Sequence, residues 1–198
     1  MSDIHETVSE AVEAARESRL NSIIALLVAL TATFMALSAV KAGNLAQAMG
    51  VEQALTNNSW AYFQSKSTKQ SLAAATLVQL TVLRDLSALT PAGQATLEQR
   101  IAKYSAEVER YEREKNDIKA EAEGHQKTYD ALNIHDDQFD LSDAALSVAI
   151  ALFGITALTQ KRALMVVAII FMVVGVFFGI AAFLRLDVHP DALMNLLG

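Results

Sequence analysis

Residues 22–40, SIIALLVALTATFMALSAV, run for about 19 positions without a charge, close to the roughly 20 that a helix needs to cross the hydrocarbon core of a bilayer. Residues 163–184, ALMVVAIIFMVVGVFFGIAAFL, are longer, more apolar and equally free of ionisable side chains. A helix lets such segments satisfy their own backbone polar groups in lipid, so both predict membrane spans. Residues 141–158, LSDAALSVAIALFGITAL, are shorter and contain Asp143 and Ser147. Only Thr159-Gln160-Lys161-Arg162 separates them from the last apolar block, which makes the two a tight helical pair and 141–158 a third span. Apolar residues make up 53% of the 198-residue chain and are gathered in blocks, where a soluble core would spread them evenly.

The spans are therefore 20–40, 141–158 and 163–184. Lys161 and Arg162 place the 159–162 turn in the cytoplasm, and Arg16 and Arg19 place residues 1–19, read as an amphipathic helix, on the same side. The polar region 41–140 and the tail 185–198 then lie outside the cytoplasm. A cleaved signal peptide is the rival reading of the first span. Its leader would carry Asp3, Glu6, Glu10, Glu13 and Glu17, whereas a signal n-region is short and net positive. The chain has no cysteine, which excludes disulfides and thiolate metal sites. Its formal charge of −6 gives no sign of nucleic-acid binding.

The polar region turns about one punctuation mark, Thr90-Pro91-Ala92-Gly93, with about 49 residues on either side. At about 1.5 Å of rise per residue each arm is roughly 70 Å long as a helix. The fold expected is an all-α membrane protein: three transmembrane helices, with a long antiparallel helical hairpin between the first and second whose tip lies near 90–93. Proline suits the first helical position, and Thr90 can cap the helix it opens. Asp140-Leu141-Ser142-Asp143 resembles a second capped helix start.

In the second arm Leu97, Ile101, Tyr104, Val108, Tyr111, Lys115, Ile118, Ala122, His125, Tyr129 and Leu132 alternate in steps of four and three, the seam of a coiled coil. Its outer face is charged, from Glu98 and Arg100 to Glu121 and Glu123. The first arm is Ala-rich, and its distal part, residues 72–89, is apolar on more than one face, including Leu72, Leu77, Leu80 and Leu83. A two-helix seam does not need so wide a surface. Folding at Thr90-Pro91 pairs residues whose numbers sum to about 180. That sets Lys66 and Lys69 opposite Glu112, Glu114 and Asp117, Arg84 opposite Glu98, Asp85 near Arg100, and Leu72 and Leu80 near Tyr111 and Tyr104.

The stretch from Trp60 through Tyr62, Phe63, Lys66 and Lys69 to Gln70 holds the sole tryptophan. With its acidic leader, first span, W-A-Y-x-Q-x-K-S-T-K-Q stretch, charged helical region and two closing spans, the chain resembles a bacterial membrane-protein family catalogued only as a domain of unknown function. The resemblance covers nearly the whole chain and implies no activity. Trp60, Phe63 and Ser67 share a helix stripe flanked by Lys66, Lys69 and Gln70, either a packing node or a docking patch.

His135, Asp136, Asp137, Asp140 and Asp143 include oxygen ligands suited to a hard cation, but their spacing fits no calcium loop, and capping explains them. Small residues recur at intervals of four: Ala25, Ala29 and Thr33; Ala32 and Ala36; Ala145 and Ala149; Gly175 and Gly179. They permit close helix approach within the chain or between copies. The first and last spans lack ionisable groups, and the scattered histidines form no catalytic constellation. No cofactor or metal is expected. The reading is a non-enzymatic bacterial inner-membrane protein, multi-pass with its N-terminus cytoplasmic. It contacts membrane lipid and acts as a homo-oligomeric scaffold, or with an envelope protein partner, through its periplasmic stalk. The alternative is an oligomeric channel or transport accessory whose pore Thr31, Thr33 and Ser38 line.

Overall fold

The computed structural model describes residues 2–188, without the side chains at positions 2–11, 13–15 and 18. The amphipathic character expected of residues 1–19 and the tail beyond residue 188 lie outside the described residues. Those described are helical apart from short connections: α1 (Ser2–Leu86), α2 (Pro91–Thr159) and α3 (Arg162–Phe183). Each helix is long and apolar enough to cross a membrane by length and composition. Contacts divide the chain into two units, Met1–Ala48 with Ala131–Gly198, and Met49–Asp130.

In the first unit all three helices contribute to one core. Ile24 of α1, Ala149 and Phe153 of α2 and Ala168 of α3 are buried together, with Leu27, Leu152 and Met172 packed around them. The α3 contribution is made of small side chains, with Ala168, Gly175, Gly179 and Ala182 all buried. Small residues let helices approach closely enough for extensive van der Waals contact. A Cβ on Gly175 would lie 2.6 Å from Leu146 Cγ, and one on Gly179 would lie 2.6 Å from Phe34 Cε1. The two glycines are thus occupied inside the chain. Ser142, fully buried, donates its hydroxyl to the Gly175 carbonyl at 2.7 Å.

That bond corrects one expectation. No helix begins at residues 140–143, because α2 runs unbroken through them. Neither proline nor glycine lies between Gly124 and Gly154 to interrupt the backbone ladder. The helix start expected at Thr90-Pro91 is present. Pro91 opens α2, and the Gly93 amide donates to Thr90 Oγ1 at 3.2 Å.

The α2 to α3 turn is only two residues long, Gln160 and Lys161. Gln160 takes a left-handed φ of 55°, the conformation that ends many helices and that glycine usually fills. Its side-chain amide donates to Asn21 Oδ1 at 3.0 Å and to the Ala157 carbonyl at 2.8 Å. At the end of α3 the Leu186 amide donates to the Ala181 carbonyl and the Arg185 amide to that of Ala182, with Arg185 at φ 54°. This is a Schellman cap with arginine in the glycine position.

Gly179→Leu is expected to lower the stability of the full chain in detergent by about 1–3 kcal/mol, the cost of overpacking a close contact. Gly43→Leu, where an added Cβ meets nothing within 4 Å, should leave it unchanged or slightly raised. Thermal unfolding followed by circular dichroism compares them, and equal midpoints would remove the close-approach role of Gly179.

Candidate interaction site

Within the Met49–Asp130 unit the residues of α1 withdrawn from solvent step by three and four: Met49, Glu52, Thr56, Ser59, Phe63, Lys66, Gln70 and Ala73. The 3-4 alternation keeps one face of a helix against a partner. Three of the eight, Glu52, Lys66 and Gln70, are strongly polar or charged, and Thr56 and Ser59 carry hydroxyls. On α2 the seam positions expected from the sequence are all buried or half-buried, with Leu97, Ile118 and Ala122 the most enclosed.

Polar groups drawn out of water need partners, and here each charged seam residue has one. Lys66, its side chain 14% exposed, donates to Glu114 Oε2 at 2.6 Å, and its ammonium sits 5.1 Å from the centre of the Tyr62 ring and 5.7 Å from that of Tyr111. Gln70 donates to Glu112 Oε2 at 2.6 Å and accepts from Lys115 Nζ at 2.7 Å, while Lys115 lies 5.5 Å from the Phe63 ring centre. His125 Nδ1 lies 2.7 Å from Glu52 Oε2. A carboxylate can only accept, so that nitrogen carries the proton. Arg84 pairs with Glu98 at 3.8 Å. The numbers of these cross-pairs sum to about 180, as the sequence predicts.

Charge follows geometry. The Lys66 ammonium holds the Glu114 carboxyl below its ordinary value, and Gln70 and then Lys115 do the same for Glu112. Lys66 is raised in turn, first by its bond to Glu114 and then by Tyr62.

The sequence-predicted patch divides between two faces. Phe63, Lys66, Leu77 and Leu80 face the seam, whereas Trp60, Tyr62, Lys69, Leu72 and Leu83 face outward. Lys69 and Asp117 therefore form no ion pair among the described residues, and Gln70 meets Glu112 instead. Leu72 is 69% exposed and Ala73 takes the seam position expected for it. The cause is angular, because one residue turns the helix by about 100°. Asp85 bonds its neighbour Arg84 at 2.8 Å and not Arg100. Trp60 packs edge-on against Phe63 at 5.5 Å.

The outer surface of the unit is lopsided. Its exposed large apolar side chains, among them Val51, Leu72, Val78, Val82 and Leu86, belong to α1 or the turn after it. The outer face of α2 carries charge instead, with ion pairs such as Arg113 to Glu109 and Lys119 to Glu123 along the helix.

In the other unit Ala25, Ala29 and Thr33 face outward while Gly175 and Gly179 face inward. Thr31 and Ser38 are buried within the unit, and Thr33 spends its hydroxyl on the Ala29 carbonyl at 2.8 Å. Thr33 thus lies on a different face of α1 from Thr31 and Ser38. Burial, then Asp140 and Asp137, raises the Asp136 carboxyl. Among the described residues no group of three or more metal-ligating side chains converges.

Sequence reasoning missed Glu52 and Gln70 as seam members and Gln138 altogether. The first two were discoverable by extending the 3-4 count through polar positions. Gln138 is fully buried and donates to the Leu186 and Val188 carbonyls, a contact about 50 residues away that no local pattern announces.

Residues 20–185 match the family described as Domain of unknown function (DUF4337). No curated protein and no solved structure matches the chain.

The ion pairs set a pH window. Carboxylates lowered from 4.5 contribute stability above that value and lose it as pH falls through their folded values. Lys66, raised from 10.5, contributes below that value and loses it as pH climbs through its folded value. Stability of the full chain is expected to be level near neutrality and to fall below pH 4.5. Glu114→Gln should be weaker at pH 7 and show a shallower acid decline in urea titrations; an unchanged decline would show that this pair does not stabilise the unit.

Proposed function

Because the chain belongs to the DUF4337 family, whose description carries no activity, we propose its function from its surfaces: a non-enzymatic bacterial inner-membrane scaffold. It is anchored by three spans with the N-terminus in the cytoplasm. The 41–140 region forms an antiparallel, coiled-coil-like helical hairpin in the periplasm, through which identical chains associate or an envelope protein is held. The cross-pairs Glu52 to His125, Lys66 to Glu114 and Arg84 to Glu98 support the hairpin.

The observation that carries assembly is the one-sided apolar surface. Leu72, Val78 and Leu86 are 62% to 81% exposed on a helix whose seam is already filled by other residues. Contiguous apolar surface of this kind marks interaction sites. The neighbouring α2 surface, covered in charge, keeps that side solvated. Contact between copies through α1 buries the first and leaves the second in water.

The detergent-solubilised chain is expected to sediment at a multiple of 21.4 kDa, and the triple variant Leu72→Asn, Val78→Asn, Leu86→Asn should sediment as single chains with its helicity retained. A wild-type chain of monomer mass at micromolar concentration would overturn self-association. Alkaline phosphatase fused at Gly93 should be active in cells, and activity confined to a fusion at Lys161 would invert the topology.

A further inference from the structure

A cavity of about 110 Å³ opens in the first unit where the apolar stretches of its helices end. Lys41 and Asn44 of α1 and Arg185 beyond α3 bring nitrogen donors to its wall, His135 of α2 adds its ring beside them, and Leu45, Phe139 and Ala182 close its floor. No carboxylate lines it. Lys41 follows the first apolar stretch directly, and Arg185 follows the last. The three basic side chains therefore meet at one boundary.

Two features show that the wall is built. Arg185 holds a left-handed backbone that glycine would adopt without penalty, and an arginine there costs about 1–2 kcal/mol. The segment it belongs to is fastened from beneath, since buried Gln138 donates to the Leu186 carbonyl at 2.8 Å and the Val188 carbonyl at 2.7 Å. With its amide nitrogen so committed, Gln138 offers His135 only an oxygen, at 3.3 Å, which fixes the proton of His135 on Nδ1. Lys41 and Arg185 form no ion pair among the described residues, although Asp187 is two residues from Arg185 and Asp136 adjoins His135. Two cations and the Asn44 side-chain amide around a phosphate-sized space, free of acidic lining, suit an oxyanion.

We infer that Lys41, Asn44 and Arg185, with His135 in the wall beside them, form a binding site for a phosphate group, carried by a membrane phospholipid or free in solution. A phospholipid places its phosphate at this level while its acyl chains lie along exposed apolar residues such as Leu37, Val40 and Leu184. The inference rests on the three-span reading only for that depth.

The test is native mass spectrometry of the full chain in neutral detergent with phosphatidylglycerol, with diacylglycerol, which lacks the phosphate, and with inorganic phosphate as competitor. Wild type should keep phosphatidylglycerol adducts and take up little diacylglycerol. Lys41→Gln with Arg185→Gln should bind phosphatidylglycerol roughly tenfold more weakly or worse. Lys161→Gln with Arg162→Gln, at the other basic site, should bind as wild type. Displacement by millimolar phosphate would identify the free ion as ligand, and resistance to it the lipid; both uphold the phosphate site. Equal uptake of diacylglycerol, undiminished binding by the 41/185 variant, or an equal loss in the 161/162 variant would overturn it. Thermal unfolding of each variant checks its fold, and vesicle flotation reports membrane insertion separately, so failure of the site and failure of the anchor are told apart.

Discussion

A lysine withdrawn from solvent along a helix seam needs a partner at one level and no other, and Lys66 has one in Glu114. An all-leucine seam tolerates a slip of one heptad because every layer is alike. Here each layer differs: Glu52 answers His125, Lys66 answers Glu114, and Gln70 bridges Glu112 and Lys115. A slip would leave charged groups half-buried without partners, which is costly. The Met49–Asp130 unit is thus specified by polar complementarity, while Leu97, Ile118 and Ala122 contribute apolar burial.

The first unit solves the opposite problem. Its helices are apolar on nearly every side, so hydrophobicity alone cannot select which faces meet. Shape selects them. Gly175 and Gly179 form a shallow track that admits Leu146 and Phe34, and the Ser142 hydroxyl fixes the level by bonding a carbonyl of α3. Side-chain amides secure its ends, Gln160 to Asn21 at the turn and Gln138 to the chain after α3.

The sequence exposes features that rest on local periodicity or local backbone chemistry. The three apolar stretches, the turn at Thr90-Pro91, the α2 seam and the Lys66 to Glu114 pair are legible because composition, proline and 3-4 spacing act over short windows. The faces of α1 are harder to read. A polar seam looks like a solvated surface, so the apolar pattern points Leu72 inward where the structure buries Ala73. The apparent helix start at 140–143 misled for a related reason, since a capping motif has meaning only where the backbone stops being helical. The phosphate-sized cavity was invisible because its walls come from segments far apart in sequence.

Trp60 is the chain's sole tryptophan, and it lies 40% exposed against Phe63 beside the apolar face of α1. An indole so placed is sensitive to water on one side and to an aromatic neighbour on the other. The protein therefore carries an intrinsic fluorophore at the surface where contact with another molecule would change solvation, and its emission can be followed without a label.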